Sequence, residues 1–141
     1  MQGRASGANI ALAVATELRH LDQRRAAVLE SLCEAIVPGS GRVGPVVYID
    51  ALMSEMAEPE RAAALSSIDA LADAAGAGAE AVREIALTPE FLQIRALAIE
   101  AFYSDFVAPD ASGPTAYEEI DFHSPLALRI QKDWSYLGVA G

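Results

Sequence analysis

Thr88-Pro89-Glu90-Phe91-Leu92-Gln93-Ile94-Arg95-Ala96-Leu97-Ala98-Ile99-Glu100-Ala101-Phe102-Tyr103 carries the clearest helix signal in the chain. Thr88 is an N-cap residue, Pro89 suits the first helical position, and Glu90 places an acid at the positive end of the helix dipole. Phe91, Ile94, Leu97, Ala98, Ala101 and Phe102 then recur on one face of a 3.6-residue period. Upstream the same period repeats. Asp22 caps a first helix whose face is Val28, Leu29, Leu32, Cys33 and Ile36, stopped by Pro38-Gly39. Pro45 opens a second, with Val46, Ile49, Leu52, Met53 and Met56 on one side. Pro59 lies at the start of a third, with Leu65, Ile68, Leu71, Ala72 and Ala75 apolar and Gly76 and Gly78 breaking it. A short fourth spans about Glu80 to Ala86. The expected fold is all-α, a small bundle of five to six helices.

Composition agrees. About a fifth of the chain is Ala, the best helix former and a poor strand residue. The 141 residues are 52% apolar with a mean hydropathy of +0.24, enough for one domain with a core. Residues 1–20 read as a loose arm, with a short helix near Ile10 to Leu18, and 21–141 as the helical domain.

Downstream of Tyr103 the character changes. Residues 104–123 hold Pro109, Gly113 and Pro114 and little periodicity, and read as a long loop. Loops of that length in compact domains are often functional or ordered by a partner. Ser124-Pro125 starts a last short helix to about Lys132, and the tail 133–141 reads as extended. Of nine aromatic residues, only Tyr48 and Phe91 precede Phe102. Tyr103, Phe106, Tyr117, Phe122, Trp134 and Tyr136 follow it. Aromatics in irregular segments either cap a protein's own core or anchor an interface. The tail favours the second role, since Trp134, Tyr136 and Leu137 left in water are a costly apolar surface.

Several function classes are disfavoured. Twenty acidic groups face ten basic ones, all Arg except Lys132, for a net charge of −10. Nucleic acid and anionic lipid both call for a basic stripe. Ile10-Ala11-Leu12-Ala13-Val14-Ala15 is too short to span a bilayer. Arg24-Arg25 precedes an acid-bearing amphipathic helix and not an export signal, so the chain is expected in the cytoplasm unless a partner carries it out. Cys33, the single Cys, lies on an apolar helix face and reads as an inert buried thiol. His20 and His123 have no second ligand at helical spacing, so no metal site is expected. Gly39-Ser40-Gly41-Arg42-Val43-Gly44 matches G-x-G-x-x-G literally, but it follows a helix, and a dinucleotide site needs it after a strand. It reads as a helix–helix connection. There is no nucleophile elbow, and Glu118-Glu119 point to opposite sides of any regular element. No catalytic constellation is visible.

Four blocks nevertheless form an ordered set: Leu32-Cys33-Glu34-Ala35-Ile36-Val37-Pro38-Gly39, Gly44-Pro45 with Tyr48-Ile49-Asp50-Ala51-Leu52, Phe102-Tyr103-Ser104-Asp105, and Trp134 with Leu137-Gly138. In order and spacing they resemble the gluconate 2-dehydrogenase subunit 3 family, over about residues 21 to 141. These are small accessory subunits of FAD-dependent dehydrogenases of the glucose–methanol–choline type. The resemblance implies an all-helical, non-catalytic subunit that binds and stabilises a large flavin-bearing partner. It implies no cofactor here, and FAD in the partner. The segment 104–141 is then expected to wrap onto the large subunit. The expected contact residues are Tyr103, Ser104, Asp105, Phe106, Phe122, Trp134, Tyr136, Leu137 and Gly138. The alternative is a free-standing helical adaptor or a homo-oligomer.

Overall fold

The computed structural model describes residues 17–122 and 137–138. Among them lie six α-helices and one 3-10 turn: α1 (Gln23–Ile36), the turn Ser40–Val43, α2 (Pro45–Met53), α3 (Glu58–Ala77), α4 (Ala79–Glu84), α5 (Pro89–Tyr103) and α6 (Ala116–Glu119). No strand occurs among the described residues, and the chain is an all-α bundle.

Each helix start has a local cause. The Asp22 side chain accepts the Arg25 amide at 2.8 Å, and the Thr88 hydroxyl accepts the Phe91 amide at 3.3 Å. Both withdraw one of the orphan amides of a first turn from competition with water. Pro45, Pro59 and Pro89 occupy first-turn positions of α2, α3 and α5. There a missing N–H costs nothing.

The core forms where the apolar faces meet. Leu29, Leu32 and Cys33 of α1, Ile49 and Met53 of α2, Ala64, Ile68 and Leu71 of α3, and Phe91, Ile94 and Ala98 of α5 are buried together. α3 packs between α1 and α5, and α2 also lies against α5. Outside the core, Arg25 of α1 reaches Asp69 of α3 with Nη2–Oδ2 at 2.8 Å. The hydrogen bond from Arg25 holds the Asp69 carboxyl below its ordinary range.

Two expectations change. Gly76 does not break the third helix: it lies inside α3, with no atom near where its Cβ would be, and the helix runs to Ala77. Gly78, at φ 104°, ends it. The stretch 104–123 is not an element-free loop either. Thr115 and Glu118 form a reciprocal capping box that starts α6, with the Thr115 amide 2.8 Å from Glu118 Oε2 and the Glu118 amide 3.2 Å from Thr115 Oγ1. The T-x-x-E spacing was the available signal; a helix of one turn leaves no periodicity to find.

The G-x-G-x-x-G stretch is a helix–helix connection, as its context in the sequence implies. Gly39 and Gly44 bracket the 3-10 turn at φ 83° and 69°. Gly44 is also a close-approach site, because a Cβ there would sit 2.5 Å from the Ala108 Cβ. That proximity lets the Ala108 amide reach the Val43 carbonyl at 2.8 Å, while the Gly113 amide reaches Arg42 O at 2.8 Å. Gly44→Ala combines left-handed strain with this clash. It is expected to destabilise the fold by about 2–4 kcal/mol, read as a lowered midpoint in urea unfolding.

Candidate functional site

α5 ends at Tyr103, and α6 lies against that end. Phe102, Val43 and Ala116 form a small buried cluster there. The Phe102 ring carries Tyr103 edge-on at a centroid distance of 4.9 Å. The Arg42 guanidinium lies over the same ring, 4.9 Å from its centroid. Arg42 also pairs with Glu119 at 2.6 Å and donates from Nε to Pro114 O at 3.0 Å. One side chain from the glycine-flanked turn thus ties together α5, the loop and α6.

This frame leaves apolar groups in water. Tyr103 is 54% exposed, Ile120 71% and Phe122 52%, and Tyr117 is also exposed. Tyr117 and Phe122 rest on each other at 5.5 Å between ring centroids. Exposed aromatic and branched groups gathered on a held scaffold are a chemistry suited to protein contact, where Tyr and Phe bury large area at small entropic cost. Tyr117 and Ile120 were not among the expected contact residues. The Thr115-x-x-Glu118 spacing of the capping box that places them was the signal that could have found them.

The other expected residues have different placements. The Ser104 hydroxyl donates back to Ala101 O at 3.0 Å, closing the end of α5. Asp105 turns the chain at φ 63°. That is the left-handed region, which Asp tolerates better than most residues. Phe106 is not a surface anchor: it is fully buried, with its ring edge-on to Tyr48 at 5.3 Å. Leu137 is buried in this chain's own core at 2% exposure, although the sequence puts it in a partner-wrapping tail. Gly138 O accepts from Arg19 Nη2 at 2.8 Å. Trp134, Tyr136 and His123 lie outside the described residues, as does the expected helix Ser124 to Lys132.

The seat of Leu137 is built around a buried carboxylate. Asp50 in α2 is 3% exposed. Its Oδ2 accepts the Arg19 amide at 2.8 Å, and its Oδ1 accepts the His20 and Leu21 amides at 2.9 Å each. Residues 19 and 20, at the end of the expected loose arm, are therefore held to the body. The small hollow at this point is lined by Leu18, Arg19, Val47, Asp50 and Leu137.

No group of three or more His, Cys, Asp or Glu residues suited to a metal ion occurs among the described residues. No helix among them is long and apolar enough to cross a membrane. Burial pushes the Cys33 thiol up to about 12, and the nearby Glu30 and Glu34 add to the shift. Comparison with protein-family models, curated proteins and solved structures finds no match to this chain.

Two outcomes follow from these placements. At mildly alkaline pH a thiol-exchange reagent should leave native Cys33 untouched and titrate one thiol after denaturation, because the thiolate is the reactive form. Asp50→Ala strands three amides and should cost on the order of 3 kcal/mol. It should also loosen the seat of Leu137, seen as faster amide hydrogen exchange at Arg19, His20, Leu21 and Leu137.

Proposed function

We propose that the chain is a non-catalytic small subunit that binds and stabilises a large flavin-dependent oxidoreductase subunit of the glucose–methanol–choline type. The geometric observation that supports an accessory role is the exposed cluster around Tyr103, Tyr117, Ile120 and Phe122, held in place by Arg42. The flavoprotein identity of the partner rests on the ordered resemblance of the four sequence blocks. In this reading the FAD and the catalytic groups belong to the large chain, this chain carries no cofactor, and the complex is cytoplasmic. The contact surface is centred on the end of α5 and on α6. Phe106 and Leu137 serve the fold that presents it.

The test is co-expression with the product of the neighbouring gene, followed by pull-down and a flavin absorption spectrum. Removing residues after Lys132 is a poor probe, since it also deletes Leu137 from the core. Tyr103→Ser combined with Phe122→Ser changes only exposed positions. The pair should leave the melting temperature of the lone chain within a few degrees and cut flavoprotein recovery at least about tenfold, the loss expected for two interface anchors. Full recovery with the double variant sinks the proposed surface. A lone chain that self-associates and retains no flavoprotein supports the homo-oligomer instead.

A further inference from the structure

α1 turns Ala27, Glu30, Ser31, Glu34 and Ala35 to solvent. The spacing i, i+3, i+4, i+7, i+8 makes these one stripe along the helix. Exposed helix faces usually carry long polar side chains; here three of five positions are Ala or Ser. A groove runs along each side of the stripe. One, of about 570 Å³, has apolar walls from Leu18, Val46, Val47 and Ala111. The other, of about 630 Å³, has Ala75, Ala79 and Val82. The two share Ala27 and Glu30, a low ridge between them, and Ser31, Glu34 and Ala35 line the second groove.

The charge lining the grooves has one sign, and Arg24, exposed one turn before Ala27, pairs with Asp69 at 3.4 Å. Glu30, Glu34 and Asp110 line the grooves, and among the described residues no Arg, Lys or His does. The ion pairs of the structure use Asp69, Glu80 and Glu119. Among the described residues, Glu34 accepts local amides, from Gly39 at 2.6 Å and Gly41 at 3.4 Å. In the wall of the first groove, the buried Ser40 hydroxyl has no hydrogen-bond partner.

We propose that the α1 face docks a basic amphipathic helix of a partner protein, its apolar side along the ridge and grooves and its Arg or Lys residues over Glu30, Glu34 and Asp110. The trough follows a helix axis, and a helix laid in an apolar groove is a standard mode of recognition. Short Ala and Ser side chains let the partner backbone approach closely. The carboxylates select a cationic rim and oppose nucleic acid and anionic lipid. They also oppose a second copy: a two-fold pairing of this face sets Glu30 and Glu34 against the same carboxylates. This surface goes beyond the aromatic cluster at the end of α5 and stands whether or not the partner carries a flavin.

The probe is a labelled Leu/Ala/Lys amphipathic peptide of about five helical turns, with a Glu-for-Lys copy as control. Binding is read by anisotropy on the full chain near physiological salt. The lysine peptide should bind and the glutamate peptide should not. Ala27→Trp, which fills the ridge, should weaken binding about tenfold or more, and so should Glu30→Gln with Asp110→Asn. Glu58→Gln with Glu60→Gln removes the same charge from the first turn of α3, which lies outside both grooves, and should change affinity less than about twofold. Circular dichroism melts check that each variant is folded. The proposal is overturned if the full chain does not bind the lysine peptide, or if both charge variants weaken it equally. It is also overturned if the chain sediments as a dimer that Ala27→Trp dissociates.

Discussion

Asp50 is a carboxylate in an apolar stretch of α2, 3% exposed, and much of the fold is arranged around it. A buried charge is tolerated only when the groups around it replace its water. Three successive amides do so here, from Arg19, His20 and Leu21. A single carboxylate cannot collect three consecutive N–H groups unless the backbone curls around it. The segment before α1 is thereby fixed against α2, and Asp22, the next residue, is placed to cap α1. Leu21 joins the core, and Arg19 is aimed so that its guanidinium meets Gly138 O. The beginning and the far end of the described chain thus converge on one side chain.

Arg42 does corresponding work at the end of α5. Its guanidinium combines an ion pair, a carbonyl contact and a ring face. A planar, permanently charged fork can serve several such partners at once, and a Lys ammonium cannot reproduce that set. The glycines on either side of its turn let the chain bring Arg42 to α5 and let Ala108 approach without a clash. The aromatic residues are sorted by this frame. Phe102 and Phe106 go inward, with Tyr48 as a neighbour of Phe106, while Tyr103, Tyr117 and Phe122 stay outside. Composition alone does not separate these two groups, because both sit in the same stretch of sequence.

The helices were legible because their starts are written in caps and prolines and their faces in a period longer than one turn. Asp22, Pro45, Thr88 and Pro89 each sit where the sequence puts them. Legibility failed where the deciding contacts are distant in sequence. Nothing around Phe106 indicates that Tyr48 is its neighbour, and nothing in the tail indicates that Leu137 packs beside Val47 and Ala51. Each pairing spans a separation over which local pattern carries no information, so a run of aromatics in an irregular segment looked uniformly like interface. Asp50 left a clue, a lone acid among Val47, Tyr48, Ile49, Ala51 and Leu52. An unpaired charge on a buried helix face implies a hydrogen-bonding partner, though not which one.

The net charge of −10 also changes meaning once it is placed in space. Averaged over the surface, it serves solubility and opposes binding to polyanions. It is not spread evenly, though. Near the exposed aromatics, Arg42 neutralises Glu119, and Glu118 is engaged in the capping box. Along α1, Glu30 and Glu34 flank shallow apolar grooves whose described lining holds no cation, while Arg24 and Arg25 pair with Asp69. The two surfaces therefore differ in the force available to them. Unpaired charge acts over about 10 Å at ordinary salt and governs the approach of a basic segment. Aromatic burial acts only at contact and governs how long a complex lasts. Salt should then weaken contacts at the α1 face far more than contacts at the end of α5, whichever protein makes them.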